Sequence, residues 1–406
     1  RSMAALIASR VFQGVGAGGI FALVYIVLTD VSTPETRGQT LSFASSIWGI
    51  ASVLGPTLGG VIVTYFSWRW IFFINVPLGL LSLAGIGFWL RELRAKRQQV
   101  DLDFAGVATL TTTILALLSA FLLGGRTYPW ASAPIAGLLL LTVLSGVGFY
   151  LVEKRARDPI LSIRFFAIRG FSVGNGAVFL SSFAIFSLFA YAPLFIQGAL
   201  GQSPMQVGAA MLSLSLGWSA GSLFLGQVVL RLGHKAAAVL GAVLLAVGGG
   251  LTLGFDAGTG MAACFWVFLL VGLGMGFVTL ATLLVVQDSV RLADLGVATA
   301  SNQFARTLGG TVGVGICGSF VAAKMSAAAA EWDAGAARLS AAVRESLGDH
   351  SESLLRPEIQ ELLPPEMRQR LVQAVVDGVG WVFVTVLVAA LLCLALCLLL
   401  PGRQKA

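Results

Sequence analysis

Charge is the scarcest property of this sequence. Only 11% of its residues are Asp, Glu, Lys or Arg, against 57% apolar residues and a mean hydropathy of +0.89, a balance far outside that of soluble globular domains. Histidine is almost absent too: His234 and His350 stand alone, so no metal-ligand spacing exists and no metal site is expected. The four cysteines, Cys264, Cys317, Cys393 and Cys397, all fall inside apolar stretches. That placement excludes an external disulfide framework and leaves them as small packing residues. No nucleophile and base occur in a catalytic spacing, and no GxxxxGKS or GxxxxGKT phosphate loop is present, which argues against an enzyme and against an ATP-driven pump. No cofactor is implied. The net charge of +7 is not gathered into a solvated basic stripe, so nucleic acid is not an expected partner. Nothing at the start reads as a cleavable signal peptide.

What the chain has in abundance is long apolar runs. A bilayer core of about 30 Å needs about 20 helical residues to cross it. Runs of that length recur at approximately 3–28, 40–65, 70–90, 104–124, 133–152, 171–196, 205–229, 236–254, 260–286, 296–322 and 379–400. A barrel would show short alternating segments instead. The fold class is therefore an all-α polytopic membrane protein, with the lipid bilayer as its surroundings. Basic residues sort the connecting loops into two sets. One set holds Arg37, the Arg91–Arg97 cluster, the Lys154–Arg169 cluster, Arg231, Lys235, Arg291, Arg403 and Lys405; the other holds only Arg1, Arg69 and Arg126. The first set marks the cytoplasmic side and places the C-terminus there, with a bacterial inner membrane as the expected location.

Shifting the sequence by 258 positions lays one half on the other. Gly14, Gly16, Gly18, Asp30, Gly38, Gly55 and Gly60 fall on Gly272, Gly274, Gly276, Asp288, Gly296, Gly313 and Gly318. Seven ordered matches indicate a duplicated unit, a common way to build a transporter. Three spans precede Gly272 in the second copy, so the repeat predicts three further spans ahead of residue 1 and a fourteen-span whole. The domains are then residues 1–98, the second half of an N-terminal bundle; 99–165, two extra linker spans; and 166–406, a C-terminal six-span bundle. That last bundle carries a long connection at about 324–378, with nine of the nineteen acidic residues, placed on the outer side. Apolar residues at helical spacing in Ala334–Leu347 and Pro365–Val376 predict short amphipathic helices there.

The segment SRVFQGVGAGG, residues 9–19, sets an arginine in a glycine-rich apolar run. Helical spacing puts Arg10, Gln13, Gly14, Ala17, Gly18 and Phe21 on one face. Gly14 and Gly18 would let a neighbouring backbone approach, and a charge on that face would point into the bundle or a watery cavity. A snorkelling arginine is the alternative. The repeat weighs against it, because the equivalent position is Phe268 while the glycines are kept. In WGIASVLGPTLGG, residues 48–60, Ala51, Gly55 and Gly59 step along one face and Pro56 removes a backbone donor, giving a helix that can pack closely and bend.

These residues resemble the drug:proton antiporters of the major facilitator superfamily. Ile7 to Gly18 is similar to their fourth-helix motif, and Gly55, Pro56, Gly59 and Gly60 to their fifth-helix antiporter motif, with Ala51 in place of its first glycine. WRWIFFINVPLG (68–79), FIQGALGQSP (195–204) and VQDSVRLADLGVATASNQFARTLGG (286–310) resemble the fourteen-span, EmrB/QacA-like multidrug subfamily in particular. The resemblance covers nearly the whole chain. It implies export of small drug-like compounds in exchange for protons, by alternating access between two helical bundles. It places proton coupling on Arg10 with Gln13, and an outer seal against proton leak on Gly55, Pro56, Gly59 and Gly60. Gating residues follow as Asp30 and Arg37, with a weaker copy of the gating motif in GQVVLRLGHK at Gly226, Arg231, Gly233 and Lys235, where Leu230 replaces the motif's acid.

None of the nineteen carboxylates sits in the middle of a span, so the acid that Arg10 would tune is expected upstream of residue 1. Candidates to line a substrate path are Asn175, Phe183, Phe186, Tyr191 and Gln197 in one span and Asn302, Gln303 and Arg306 in another. A charge about ten residues into a span needs water or a partner, which singles out Arg306. A cationic cavity wall would suit anionic substrates. Beside a multidrug exporter stand a specific metabolite exporter, a carrier without protons and a non-transporting interaction protein. A periplasmic adaptor partner is left open.

Overall fold

A computed structural model describes residues 3–67, 69–90, 103–125, 127–156, 159–161, 163–333 and 365–402. Its elements are α1 (Met3–Val31), α2 (Arg37–Tyr65), α3 (Trp70–Phe73), α4 (Asn75–Trp89), α5 (Phe104–Leu123), α6 (Ala133–Glu153), α7 (Arg169–Gly198), α8 (Pro204–Leu232), α9 (His234–Thr252), α10 (Met261–Asp288), α11 (Leu295–Asp333) and α12 (Pro365–Leu399). Two short 3-10 turns, Ile163–Ala167 and Leu292–Asp294, precede α7 and α11. Among the described residues ten helices are long and apolar enough to cross a membrane, α3 and α4 together counting as one. The eleventh expected span is α2, helical over 29 residues, about 43 Å at 1.5 Å per residue.

Local signals set several boundaries. Asp103 caps α5 by accepting from the Gly106 N–H at 2.7 Å. Ser203 and Gln206 form a reciprocal capping box at the start of α8, with Pro204 in the first turn. Gly233 ends α8 at φ +83°, a conformation that suits glycine and lets α9 begin one residue later. Of the two amphipathic helices expected in the long connection, the one at residues 334–347 lies outside the described residues. Pro365–Val376 is no separate amphipathic helix but the opening turns of α12, which runs unbroken to Leu399.

The second copy of the repeat forms a tight bundle around α10. Gly272 and Gly276 lie against the backbone of α8 at Leu214 and Trp218, and Gly274 lies against α9 at Gly241 and Leu245. No side chain larger than hydrogen fits at these crossings. On the other flank, Gly309 and Gly313 bring α11 against the α7 backbone at Phe179 and Phe183. All four cysteines are buried and free, and Cys393 packs with its thiol on the Ala177 carbonyl at 3.3 Å.

The first copy is more open. Among the described residues of the given sequence, a Cβ at Gly14, Gly16 or Gly18 would meet nothing within 4 Å. Among the described residues the main neighbours of α1 are α2 and α11. The two copies meet at one end of the molecule. There Gln287 Nε2 donates to Thr29 Oγ1 at 3.0 Å, a contact between residues exactly one repeat, 258 positions, apart. Two equivalent residues can touch only if they lie beside the axis relating the copies, so this hydrogen bond gives the duplication seen in the sequence a place in the fold.

Candidate functional site

Between the two copies lies a cavity of ≈ 710 Å³, within the usual range for sites that enclose drug-sized ligands. α1 contributes Ala17, Gly18, Phe21 and Ala22; of the face read from the sequence, Ala17, Gly18 and Phe21 line the cavity while Arg10, Gln13 and Gly14 do not. α7 adds Phe186 and α8 adds Trp218. α11 supplies the longest side, from Ala300 through Gln303, Phe304, Arg306 and Thr307 to Gly310, Thr311 and Val314. Gly310 leaves the space that the Phe186 ring occupies. Phe186 and Trp218 meet edge to face, with ring centroids 6.2 Å apart.

Among the described lining residues Arg306 is the one cation, and it is 4% exposed. Its guanidinium lies over the Phe21 ring at 4.6 Å and near the Trp218 ring at 5.8 Å, one aromatic from each copy. Such stacking eases the burial of a guanidinium. The buried Tyr25 hydroxyl lies close enough to Arg306 to interact with it electrostatically, yet forms no hydrogen bond of normal geometry. Gln303, one helical step away on the same face, is 3% exposed, and neither its Nε2 nor its Oε1 has a hydrogen-bond partner. No acidic residue is found among the described residues lining the cavity.

The other expected path residues fall elsewhere. Asn175 and Asn302 are buried and bond each other at 3.3 Å behind the α7–α11 seam. The Tyr191 hydroxyl donates to the Val314 carbonyl at 2.8 Å, bracing α7 on α11. Phe183 belongs to the packed core of the second bundle, and Gln197 does not line the cavity. Arg10 and Gln13 lie further along α1, bonded to each other at 2.9 Å and exposed, with Arg10 over the Phe72 ring at 4.8 Å. Gly55 has open space around it. Pro56, Gly59 and Gly60 are inside α2, with their packing outside the described side chains. Trp218 escaped the sequence reading, because an aromatic within a span carries no mark that separates a cavity wall from a packed core.

Beyond the cavity, at the end where Thr29 meets Gln287, the copies are latched by polar contacts. Asp288 pairs with Arg37 Nη1 of the first copy at 3.7 Å and with His234 Nδ1 at 2.9 Å. Gln287 Nε2 also donates to Thr299 Oγ1 at 2.9 Å. Gln39 Nε2 donates to Gln227 Oε1 at 3.3 Å, and Gly226 lies against Ser42 of α2. Of the other expected gating residues, Gly233 makes the α8–α9 turn, Arg231 is exposed, and Lys235 and Asp30 are half-buried. Among the described residues no group of His, Cys, Asp and Glu is placed to hold a metal.

The profile of the Major Facilitator Superfamily matches residues 1–314. Among curated proteins the chain is similar to the Multidrug transporter protein MdtP of Bacillus subtilis (strain 168), 34% identical over 325 residues that make up 80% of this chain and 60% of that protein. It is also similar to Multidrug resistance protein 3 of the same organism, 28% identical over 408 residues, 100% of this chain and 79% of that protein. A third relative is Efflux pump dotC of Dothistroma septosporum (strain NZE10 / CBS 128990), 32% identical over 315 residues, 76% of this chain and 54% of that protein. The chain thus spans less than two thirds of the first and third of these relatives.

Proposed function

The chain belongs to the Major Facilitator Superfamily of membrane transporters, and from that premise we propose that it is a proton-coupled secondary exporter of small amphipathic compounds, of the fourteen-span multidrug subfamily. The observation that carries this reading is the cavity itself: it is lined by both copies of a duplicated unit, aromatic on most sides, with Gln303 and Arg306 set into its wall. A cavity between two pseudo-equivalent bundles opens alternately when the bundles rock about it. The contacts of Asp288, Gln287 and Gln39 close one end in the present state, and their release would open it. Loop charge makes that end cytoplasmic, in a bacterial inner membrane.

In this reading Arg10 and Gln13 serve proton coupling, with their acidic partner in a span preceding residue 1 of the given sequence. Gly55, Pro56, Gly59 and Gly60 of α2 seal the outer side. The names of the relatives from Bacillus subtilis and Dothistroma septosporum support efflux of drug-like substrates. The test is transport by the full natural protein in proteoliposomes. A fluorescent amphipathic dye should move against its own gradient when a proton gradient is imposed, and should stop when a protonophore is added. Saturable dye flux indifferent to the proton gradient would remove the coupling, and absence of saturable flux would remove the exporter.

A further inference from the structure

We propose that Tyr25 is a positioning residue: it ties Arg306 in the cavity wall to the polar contacts that hold the two copies together at one end, so that withdrawing the guanidinium weakens that closure. The inference rests on the exporter reading and adds to it the residue through which the cavity acts on its closed end.

Two stripes of side chains meet across the boundary between the copies. On α1, Phe21, Tyr25 and Thr29 follow at intervals of four and share a face. On α11, Thr299 and Arg306 stand seven apart, again on one face. At the cavity end, the Arg306 guanidinium lies on the Phe21 ring at 4.6 Å. The Phe21 and Tyr25 rings meet edge to face with centroids 6.1 Å apart, and the Tyr25 hydroxyl stands within electrostatic reach of Arg306. At the closed end, Thr29 Oγ1 donates to the Tyr25 carbonyl at 2.7 Å. That bond uses the hydroxyl's one proton and leaves its oxygen as an acceptor. Gln287 Nε2 of the second copy donates to this oxygen at 3.0 Å and gives its other proton to Thr299 Oγ1 at 2.9 Å. Tyr25 is common to both ends. Its ring and hydroxyl meet the groups around the cation, and its carbonyl orients the hydroxyl that receives the amide. Because Tyr25 is 3% exposed, displacing Arg306 leaves a buried phenol without its charged neighbour, which costs free energy on α1.

The repeat separates this role from packing. Under the offset of 258, Thr29 falls on Gln287, polar in both copies, whereas Tyr25 falls on Leu283 and Arg306 on Trp48. Tyr25 and Leu283 belong to one buried cluster, so an aliphatic side chain fills the equivalent place. The phenol and the guanidinium occur together in one half of the repeat relation and are replaced together in the other. A ligand that draws the guanidinium toward itself takes it from the Phe21 face and the Tyr25 hydroxyl, and α1 loses a hold on α11. Such coupling is reciprocal: what loosens the closure also frees Arg306.

The experiment measures the closure in the full natural protein in lipid nanodiscs. Ser42 of α2 is 1% exposed and lies against Gly226 of α8, so Ser42→Cys reacts with a polar maleimide only when the copies part at this end. With a rate proportional to reagent concentration, and after subtraction of labelling in the protein without that substitution, the signal reports the open fraction. Tyr25→Phe keeps the ring and should raise the rate about fivefold. Arg306→Gln stands for the guanidinium withdrawn from Tyr25 and should raise it as much or more. The double variant should exceed the larger single effect by no more than about twofold, because each change removes the same contact. Tyr191→Phe loses a phenol that braces α7 on α11 within the second copy, and should stay within about twofold of the parent.

An unchanged rate in Tyr25→Phe overturns the proposal. So do effects that multiply in the double variant, and so does a Tyr191→Phe effect equal to that of Tyr25→Phe, which would mark general loosening. Should Arg306→Gln fail to fold, the comparison of Tyr25→Phe with Tyr191→Phe decides alone. Dye flux in proteoliposomes keeps the two readings apart. Saturable flux in the parent with no labelling effect removes the coupling and leaves the exporter; the expected labelling pattern without flux removes the exporter and leaves the coupling.

Discussion

Helices α1 and α10 carry the same glycine pattern and meet opposite surroundings. In α10, Gly272 and Gly276 are notches filled by the backbone of α8, and Gly274 is filled by α9; 83% of the span's most apolar window is buried. In α1, Gly14, Gly16 and Gly18 meet nothing within 4 Å among the described residues of the given sequence. Arg10 of α1 is exposed, whereas its equivalent Phe268 is fully buried. A small-residue spacing therefore specifies a capacity for close approach. The contact itself is supplied by the neighbouring element, here α8 and α9 for one copy and α2 and α11 for the other.

The comparison can be broken most forcefully at its glycines. Gly272→Val in α10 would drive a side chain into the Leu214 carbonyl, and is expected to cost about 3 kcal/mol, the upper range for overpacking a tight crossing. In the chain of the given sequence, Gly14→Val should change stability by less than about 1 kcal/mol, as at other uncrowded positions. Thermal unfolding of the purified protein followed by monodispersity decides between them. Equal losses would show that the Gly14 notch is filled.

The two arginines sharpen the same contrast in function. Arg306→Ala removes the cationic wall and should lower saturable substrate flux by about 10-fold to 100-fold under every driving condition. Arg10→Ala should instead abolish the response of transport to a proton gradient and leave substrate counterflow within about twofold, since Arg10 lies outside the cavity. Counterflow and gradient-driven flux measured side by side separate the two roles. Loss of counterflow in Arg10→Ala would assign that arginine to substrate.

The smallest effect belongs to the paired aspartates. Asp288 holds Arg37 and His234 but is half exposed, so Asp288→Asn should cost less than about 1 kcal/mol. It should nevertheless raise labelling of a cysteine placed at Gln39 or Gln227, because the latch between copies is weakened. Unchanged labelling would show that Asp288 does not hold the latch.

Much of the fold was legible because membranes allow few choices. Apolar length marked the helices, and the 258-residue offset showed the duplication, though not the Thr29–Gln287 contact between its copies. Arg306 and Gln303 stood out because polar groups deep in a span demand a reason. Trp218 and the Tyr191 brace could not be told from ordinary core aromatics, since what separates them is their partner on another helix. The end of the long connection was misjudged for a local reason. Charged residues between Pro365 and Asp377 suggested a separate surface helix, but no helix breaker divides them from the apolar run beyond, and the backbone continues through. The exposure of Gly14 and Gly18 was equally out of reach, because a helix sequence does not state what packs on it.

The most direct test of the central claim is two-sided labelling of Thr311→Cys, whose parent side chain lines the cavity on α11 and whose signal is clean because the native cysteines are buried. Alternating access predicts that a membrane-impermeant thiol reagent reaches this cysteine from either face, in proportions shifted by the proton gradient and reduced by a transported dye. Labelling confined to one face under every condition would contradict a cavity that opens to both sides in turn.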